Sequence, residues 1–263
     1  MPNNPPLSSN IHAPSHSDAI FSQKGYSLPI CEQNDGFSAV LLENMVAISL
    51  KSRTFVALYE VKANKMNIAI IKYNAGNIAS VENAMKRLGV EPVVTDNVEL
   101  IKKADRVIFP GQGEALSTME YLRARRLDEV IVDLKQPVLG ICIGMQLLCR
   151  HSEEGDTPCL GVFDVGVKRF EPKSHEEKVP QMGWNTVENT KSDLFEGFEK
   201  PEFVYFIHSF YVPKCDWTIA TTNYTLSYSS ALHKDNFYAT QFHPEKSGKV
   251  GERILKNFLD AVH

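Results

Sequence analysis

The stretch Val138-Leu-Gly-Ile-Cys-Ile-Gly-Met-Gln146 decides the fold of this chain. An apolar run ends in Gly-x-Cys-x-Gly, and a run compatible with a helix, from Met145 to Arg150, follows at once. This order is typical of a nucleophile elbow, where a strand turns sharply into a helix and lifts one side chain into a cleft. It predicts that Cys142 lies at a helix N-terminus, where the macrodipole and free N–H groups favour a thiolate. The alternative is a buried structural cysteine beside glycines that allow close helix packing.

The composition is that of an ordinary globular protein. Of 263 residues, 43% are hydrophobic and 23% charged, and a net charge of -4 gives no reason to expect nucleic acid or an anionic membrane as partner. No apolar stretch approaches the ~20 residues that span a bilayer. Five cysteines without a Cys-x-x-Cys pair argue against a disulfide framework or a zinc site and favour a reducing, cytoplasmic location. We expect no metal and no cofactor.

Residues 1–65 differ from the rest of the chain. Residues 1–16 are rich in Pro, Asn, Ser and His, a composition that predicts partial disorder. The segment has neither the Arg-rich, acid-poor pattern of an organellar transit peptide nor the basic start and apolar core of a secretory signal. We interpret it as an N-terminal extension, with Met66 as the functional start of the chain.

From Met66 onward, strand and helix patterns alternate up to the Cys142 elbow. Apolar runs at 67–71, 93–94, 106–109 and 137–141 predict strands. Between them lie helical spacing from Ile78 to Leu88 and a short helix through Lys103, capped by Asp96 or Asn97. This alternation favours an α/β fold with a mostly parallel sheet covered by helices on both faces. Beyond residue 160, strand patterns dominate until a last helix near the C-terminus. We therefore expect one α/β domain, residues 66–263, with a strand-rich second half.

A cysteine nucleophile needs a base, and the base needs an orienting group. Of eight histidines, His243 stands out because it follows an apolar strand within Gln241-Phe-His-Pro-Glu-Lys-Ser247. Because proline favours extended backbone, His243 and Glu245, two residues apart, are expected to project to the same side. A carboxylate there orients the imidazole and stabilises its charged form.

The elbow and the His-Pro-Glu segment together resemble the class I, triad-type glutamine amidotransferases, whose fold is flavodoxin-like. Five further stretches narrow the resemblance to the branch of that family that works in histidine biosynthesis: Tyr73 to Asn77, Pro110 to Gly113, Ser152 to Gly155, Pro180 to Asn185 and Tyr205 to Ser209. The resemblance covers residues 66–263 and leaves residues 1–65 outside it.

The resemblance implies that glutamine is hydrolysed through a thioester on Cys142, with His243 moving protons and Glu245 orienting His243. The oxyanion donors would be the backbone N–H groups of Ile143 and of Gln112, where many members of the family have valine. The glutamine-binding residues that it implies are Gln146, Glu154, Tyr205 and Ser209.

Ammonia released into water becomes mostly ammonium, which is not a nucleophile, so it must reach its acceptor through a passage that is shielded from water. The resemblance implies a separate cyclase subunit with the fold of a (β/α)₈ barrel, in a 1:1 heterodimer, which makes imidazole glycerol phosphate and aminoimidazole carboxamide ribotide. The residues that match the family's interface or ammonia passage are Asn77, Gln181, Trp184 and Lys246. The other interpretation is a core aromatic for Trp184, a solvated charge for Lys246 and a turn residue for Asn77. For His208 we favour a structural or interface role.

Two other functions remain open at this point. One is a related amidotransferase that supplies another acceptor, as in pyridoxal phosphate or aminobenzoate synthesis. The other is a catalytically silent binding subunit that keeps the fold, against which the intact Cys142, His243 and Glu245 argue.

Overall fold

A parallel sheet forms the centre of the chain. The computed structural model describes residues 66–73, 78–175 and 177–260, and the predictions made for residues 1–65 and for Asn77 lie outside these ranges. Within them the central sheet has seven strands, in the order β11 (Thr218–Asn223), β12 (Ser227–Lys234), β13 (Phe237–Thr240), β4 (Val138–Ile141), β3 (Arg106–Phe109), β1 (Ile68–Ile71) and β2 (Val93–Thr95). Strands β2, β1, β3, β4 and β13 run parallel, and β12 and β11 are added antiparallel at one edge. The predicted fold class is therefore confirmed.

The alternation of elements up to the elbow follows the predicted pattern. Its members are β1 (Ile68–Ile71), α1 (Ile78–Arg87), β2 (Val93–Thr95), α2 (Val98–Lys103), β3 (Arg106–Phe109), α3 (Ala115–Ala124), α4 (Leu127–Val132), β4 (Val138–Ile141) and α5 (Ile143–Leu148). The side chain of Asn97 caps α2 by accepting from the N–H groups of Glu99 and Leu100, as a cap residue should.

Both faces of the sheet are buried. On β1, Ile68 and Ile70 pack into one apolar cluster with α1 and the final helix α6 (Gly248–Asp260), whereas Ala69 and Ile71 face a second cluster with α2, α3, α4 and α5. The continuous apolar runs of β1, β3 and β4 reflect this two-sided burial.

The second half of the chain is rich in strands, as predicted. A four-stranded sheet has the order β10-β7-β5-β6, and β8 and β9 form a separate antiparallel pair. The strands after the elbow are β5 (Cys149–Ser152), β6 (Thr157–Pro158), β7 (Phe163–Arg169), β8 (Gln181–Val187), β9 (Glu202–His208), β10 (Phe210–Tyr211), β11 (Thr218–Asn223), β12 (Ser227–Lys234) and β13 (Phe237–Thr240).

Two local expectations were wrong. The helix after the elbow ends at Leu148, so Cys149 and Arg150 begin a strand instead of completing the helix. The sequence did not predict β12 at all, because its three serines and its polar end hide a strand that is mostly buried between β11 and β13. No helix in the described ranges is long and apolar enough to cross a membrane.

Candidate active site

The elbow predicted at Cys142 is present and strained. Cys142 has φ 51° and ψ -106°, directly before α5, and its backbone N–H donates to the Thr240 carbonyl of β13 at 2.7 Å. A non-glycine residue in such a region costs on the order of 1–3 kcal/mol, and the packing around it must maintain the conformation. Ile143 is the first residue of α5, where an N–H has no partner within the helix.

Glycines allow two backbone segments to meet at this point. A Cβ on Gly144 would lie 2.3 Å from the Phe109 carbonyl oxygen, and a Cβ on Gly111 would lie 1.9 Å from that of Ile141. Both distances are impossible for a side chain, so the elbow can sit against the segment that follows β3 only with glycine at these positions.

His243 and Glu245 form a buried pair. The His243 Nδ1 lies 2.8 Å from Glu245 Oε1, and both side chains are inaccessible to solvent. The sequence argument predicted this pairing from an extended backbone, but Pro244–Lys246 is a turn of 3₁₀-helix. The contact was therefore predicted for the wrong reason, since the turn brings the carboxylate back toward the ring.

The electrostatic surroundings favour a charged His243. Burial alone disfavours the imidazolium, but the negative charge that Cys142 carries as a thiolate and the Glu245 carboxylate together outweigh it and raise the pKa of His243 to about 10. Its Nε2 has no hydrogen-bond partner among the described residues, and both Cys142 and His243 line one cavity. The arrangement suits a thiolate–imidazolium pair.

That cavity, which we call the Cys142 cavity, has a volume of about 170 Å³. It brings together most of the site residues predicted from the sequence: Gln112, Cys142, Ile143, Gln146, Glu154, Ser209 and His243. The carboxyl ends of the parallel strands β3, β4 and β13 meet here, which is where open α/β sheets bind ligands.

Gln146 and Glu154 each form hydrogen bonds within the protein with only part of their polar groups. Both hydrogens of the buried Gln146 amide are donated, to the Phe210 carbonyl at 3.1 Å and to Gln241 Oε1 at 3.0 Å, so its own oxygen remains for a ligand. One oxygen of Glu154 accepts from the Ala115 N–H at 2.8 Å. Burial raises the pKa of Glu154, and the Ala115 N–H opposes that rise. The two side chains present an amide oxygen and a carboxylate, which match a ligand's amino group.

The backbone of Gln112, a predicted oxyanion donor, is engaged elsewhere. The buried Tyr73 hydroxyl donates to the Pro110 carbonyl at 2.5 Å. Burial raises the pKa of Tyr73 well above its ordinary value, and a hydrogen bond from the Gln112 N–H to the same oxygen opposes the rise. The Gln112 N–H thus interacts with the Tyr73 hydroxyl.

Tyr205 lies outside the Cys142 cavity, although it was predicted to bind glutamine. Its ring packs edge-on against Trp184 on the exposed side of the β8–β9 pair. Its backbone supports the histidine segment instead, because its carbonyl accepts from the His243 N–H at 2.9 Å and its N–H donates to Ser247 Oγ at 3.0 Å.

The exposed side of β8–β9 is apolar. We call Met182, Trp184, Phe203 and Tyr205 the outer hairpin face. Trp184 is 57% exposed and Phe203 59% exposed, which contradicts the core interpretation of Trp184. Lys246 is partly exposed in the turn after His243, whereas Gln181 is buried on the opposite side of β8.

The surroundings of His208 are those of a structural residue, the role that we favoured from the sequence. Its Nδ1 donates to the Phe210 carbonyl at 2.6 Å, and its Nε2 lies 3.3 Å from the Tyr228 hydroxyl, which also contacts Gln181. Burial lowers the pKa of His208 to about 4, against the opposing hydrogen bond to Phe210. His208 is therefore a neutral wall of the cavity.

Sequence reasoning did not assign roles to Tyr73 and Gln241. Both lie within motifs that carried the resemblance, but only their spatial contacts with Pro110 and Cys142 show what they touch. Within residues 66–73, 78–175 and 177–260, no cluster of His, Cys, Asp and Glu side chains could hold a metal ion.

Comparison with known proteins identifies what the chain resembles. The profile of the family described as "Glutamine amidotransferase class-I" matches residues 69–262. The chain is 66% identical over 195 residues to the imidazole glycerol phosphate synthase subunit HisH of Bacteroides thetaiotaomicron, covering 74% of this chain and 100% of the relative. It is 43% identical to the subunit of the same name from Idiomarina loihiensis, covering 74% of this chain and 98% of the relative.

Solved structures agree on the fold. One described as a glutamine amidotransferase has a TM-score of 0.58 at 20% identity and covers 74% of this chain and 98% of its own. A glutamine amidotransferase from Thermotoga maritima has a TM-score of 0.51 at 20% identity, and the match covers 75% of this chain and 84% of the other.

The lowered pKa of His208 predicts an acid-sensitive step in stability. The folded state keeps His208 neutral down to about pH 4, whereas in the unfolded chain it titrates near its ordinary pKa of 6.5. Stability is therefore present above pH 6.5 and decreases toward pH 4, by about 1.4 kcal/mol per pH unit in this window. We expect His208→Gln to reduce that slope in urea unfolding of the full chain between pH 4.5 and 6.5.

His175→Gln, at an exposed histidine, serves as the control and should leave the slope unchanged. Equal slopes in wild type and His208→Gln would contradict the assignment of His208 as a buried neutral group.

Proposed function

The chain belongs to the class I glutamine amidotransferases, and we propose that it is the glutaminase subunit of an imidazole glycerol phosphate synthase, acting in histidine biosynthesis. The observation that carries this proposal is the meeting of Cys142, His243 and Glu245 at one buried site. The chain that holds this site is 66% identical to a relative named for that subunit, over the relative's whole length.

The geometry supports a thioester mechanism. The Cys142 thiolate attacks the side-chain carboxamide carbon of glutamine, and the C–N bond breaks as His243 donates its proton to the departing ammonia. Forming the thioester removes the negative charge of Cys142, one of the groups that raise the pKa of His243. The pKa of His243 then falls, so the neutral imidazole can take a proton from water, which attacks the thioester and releases glutamate.

Substrate binding is proposed for the residues that line the Cys142 cavity. The free Gln146 oxygen and the Glu154 carboxylate receive the amino group of glutamine, and Ser209 adds a hydroxyl. We assign the first oxyanion donor to the Ile143 N–H and the second to Gln112 once it has left Tyr73. Tyr205, which lies outside the cavity, is reassigned to support His243.

We propose that the outer hairpin face binds a cyclase partner with the fold of a (β/α)₈ barrel, in a 1:1 heterodimer. Large apolar side chains this exposed are expected where a partner covers them. Tyr205 of this face is hydrogen-bonded through its backbone to His243 and Ser247, which flank the turn that holds Lys246, so the face adjoins the site where ammonia forms. Residues 66–263 make up the amidotransferase domain, and residues 1–65 precede it. A reducing compartment protects such a thiol from disulfide formation, and we place the protein in the cytoplasm.

Replacing the nucleophile separates glutamine use from synthesis. In the complex with the cyclase subunit, Cys142→Ala should lower glutamine-dependent formation of imidazole glycerol phosphate at least about a thousandfold, because no thioester can form. With ammonium salt at high pH in place of glutamine, the same variant should keep its rate within about twofold. Cys159→Ala, a thiol outside the Cys142 cavity, is the control and should retain both rates. Full glutamine-dependent turnover by Cys142→Ala would reject the mechanism.

The interface proposal predicts a large effect at Trp184. In titration calorimetry, Trp184→Ala should weaken the affinity for the cyclase by about thirtyfold or more, because a large aromatic is lost from the centre of the apolar face. Leu100→Ala provides a matched control, since Leu100 is 49% exposed on α2 and does not belong to the outer hairpin face. Equal affinities for the two variants would place the interface elsewhere.

The position of the Gln112 N–H predicts the activity of the isolated subunit. Tyr73→Phe removes the oxygen that both anchors Pro110 and accepts from Gln112. We expect glutaminase turnover without the cyclase to rise about fivefold, the value of one ordinary hydrogen bond. Tyr121→Phe, which loses a hydroxyl bonded to Asp96 on the protein surface, should leave turnover unchanged. A lower turnover for Tyr73→Phe would show that Tyr73 supports the active conformation instead.

A further inference from the structure

Gln241 is a fully buried amide beside the nucleophile. It follows β13 directly and precedes His243 by two residues, and its backbone N–H donates to the Ser230 carbonyl of β12 at 2.9 Å. A buried side-chain amide costs free energy unless its polar atoms are hydrogen-bonded. The contacts of Gln241 therefore indicate what this residue contributes.

The orientation of the Gln241 amide is fixed by its neighbour. Gln146 donates both of its amide hydrogens, one to the Phe210 carbonyl and one to Gln241 Oε1 at 3.0 Å. Because Gln241 must present its oxygen to Gln146, its Nε2 faces the other way. That nitrogen lies 3.7 Å from Cys142 Sγ, within hydrogen-bond range of sulfur.

The polar groups around the sulfur differ in which form of Cys142 they stabilise. The Ile207 carbonyl lies 3.8 Å from Sγ and can only accept, so it favours the protonated thiol. Gln241 can donate, so it favours the thiolate. His243 contributes a positive charge, whereas Gln241 adds a directed N–H that does not titrate.

Two titratable groups on the wall of the Cys142 cavity are His208, which burial keeps neutral, and Glu154.

The other titratable groups that face Cys142 come from three segments of the chain. His243 follows β13 and is paired with Glu245, Tyr228 comes from β12, and Tyr73 follows β1. Burial, and to a smaller extent the negative charge of Cys142, raise the pKa of both tyrosines well above their ordinary values. Their hydroxyls therefore stay neutral across the range in which Cys142 is assayed, and His243 is the group whose charge changes.

We propose that Gln241 is a positioning residue, whose side-chain N–H donates to the Cys142 thiolate, stabilises it and holds it in place for attack. The amide of Gln146, a proposed glutamine-binding residue, fixes Gln241 in turn, so one hydrogen-bonded series runs from the substrate end of the cavity to the nucleophile. This inference rests on the proposed function, since it assigns a part in the same reaction.

The test measures the thiolate directly. In the full chain, the rate at which iodoacetamide alkylates Cys142 is followed against pH by mass spectrometry of the Cys142 peptide. Gln241→Met keeps the length of the side chain and removes the donor, and we expect the midpoint of the profile to rise by about one pH unit. Gln136→Met, at the opposite end of β4, is the matched control and should leave the midpoint unchanged.

Glutaminase kinetics in the cyclase complex give the second readout. Gln241→Met should lower kcat about tenfold and change KM for glutamine less than about threefold, because the lost donor acts on the reacting sulfur. A residue that only fills space would not move the alkylation midpoint. Thermal unfolding verifies that the variant is folded.

If Gln241→Met does not fold, the isosteric Gln241→Glu carries the test, because it keeps the acceptor for Gln146 and replaces the donor by an oxygen. The alkylation midpoint of Gln241→Glu should rise by more than about one pH unit. A midpoint equal to that of wild type, in either folded variant, overturns the assignment of Gln241 while leaving the proposed function intact. A raised midpoint in a complex that consumes no glutamine would support Gln241 and reject the proposed function.

Discussion

The close approach of the elbow to the segment after β3 is the constraint on which the site depends. Phe109 and Ile141 direct backbone oxygens at positions where only Gly144 and Gly111 leave room. Once these backbones touch, Cys142 is held at a positive φ with its sulfur beside the ends of β3 and β13. The strain of on the order of 1–3 kcal/mol is balanced by burial of the strands on either side, which the continuous apolar runs of β3 and β4 provide.

The parallel half of the fold could be predicted because its signals are local. These signals are the helical spacing from Ile78, the cap at Asn97 and the glycines around Cys142, and each depends on only a few neighbouring residues. By contrast, β12 was not predicted. It forms a strand because it pairs with a neighbouring strand on each side, and its serines interrupt the alternation of apolar residues that would indicate a strand in the sequence.

The pairing of His243 with Glu245 was predictable, whereas most of the contacts around the two residues were not. The His-Pro-Glu motif identified His243 and Glu245, but not the 3₁₀ turn that joins them. The contacts of Tyr73 with Pro110 and of Gln241 with Cys142 join residues 37 and 99 positions apart, and no local pattern reports such distances. The same holds for Tyr205. Its motif predicted a position near the site, but not whether its side chain faces the Cys142 cavity or the outer hairpin face.

A partner bound at the outer hairpin face, as proposed above, would affect two properties of the chain: the exposure of that face and the position of His243. The outer hairpin face leaves large apolar side chains in water, which is unfavourable until another surface covers them. The same hairpin is hydrogen-bonded to the segment that contains His243. The Tyr205 carbonyl accepts from the His243 N–H, and the Tyr205 N–H donates to the Ser247 hydroxyl. That hydroxyl in turn donates to the His243 carbonyl at 2.7 Å. A protein that covers Trp184 and Tyr205 therefore acts on a strand that holds His243 in place. A differential affinity for one arrangement of these bonds is sufficient to couple partner binding to the cysteine, with no contact to the sulfur itself.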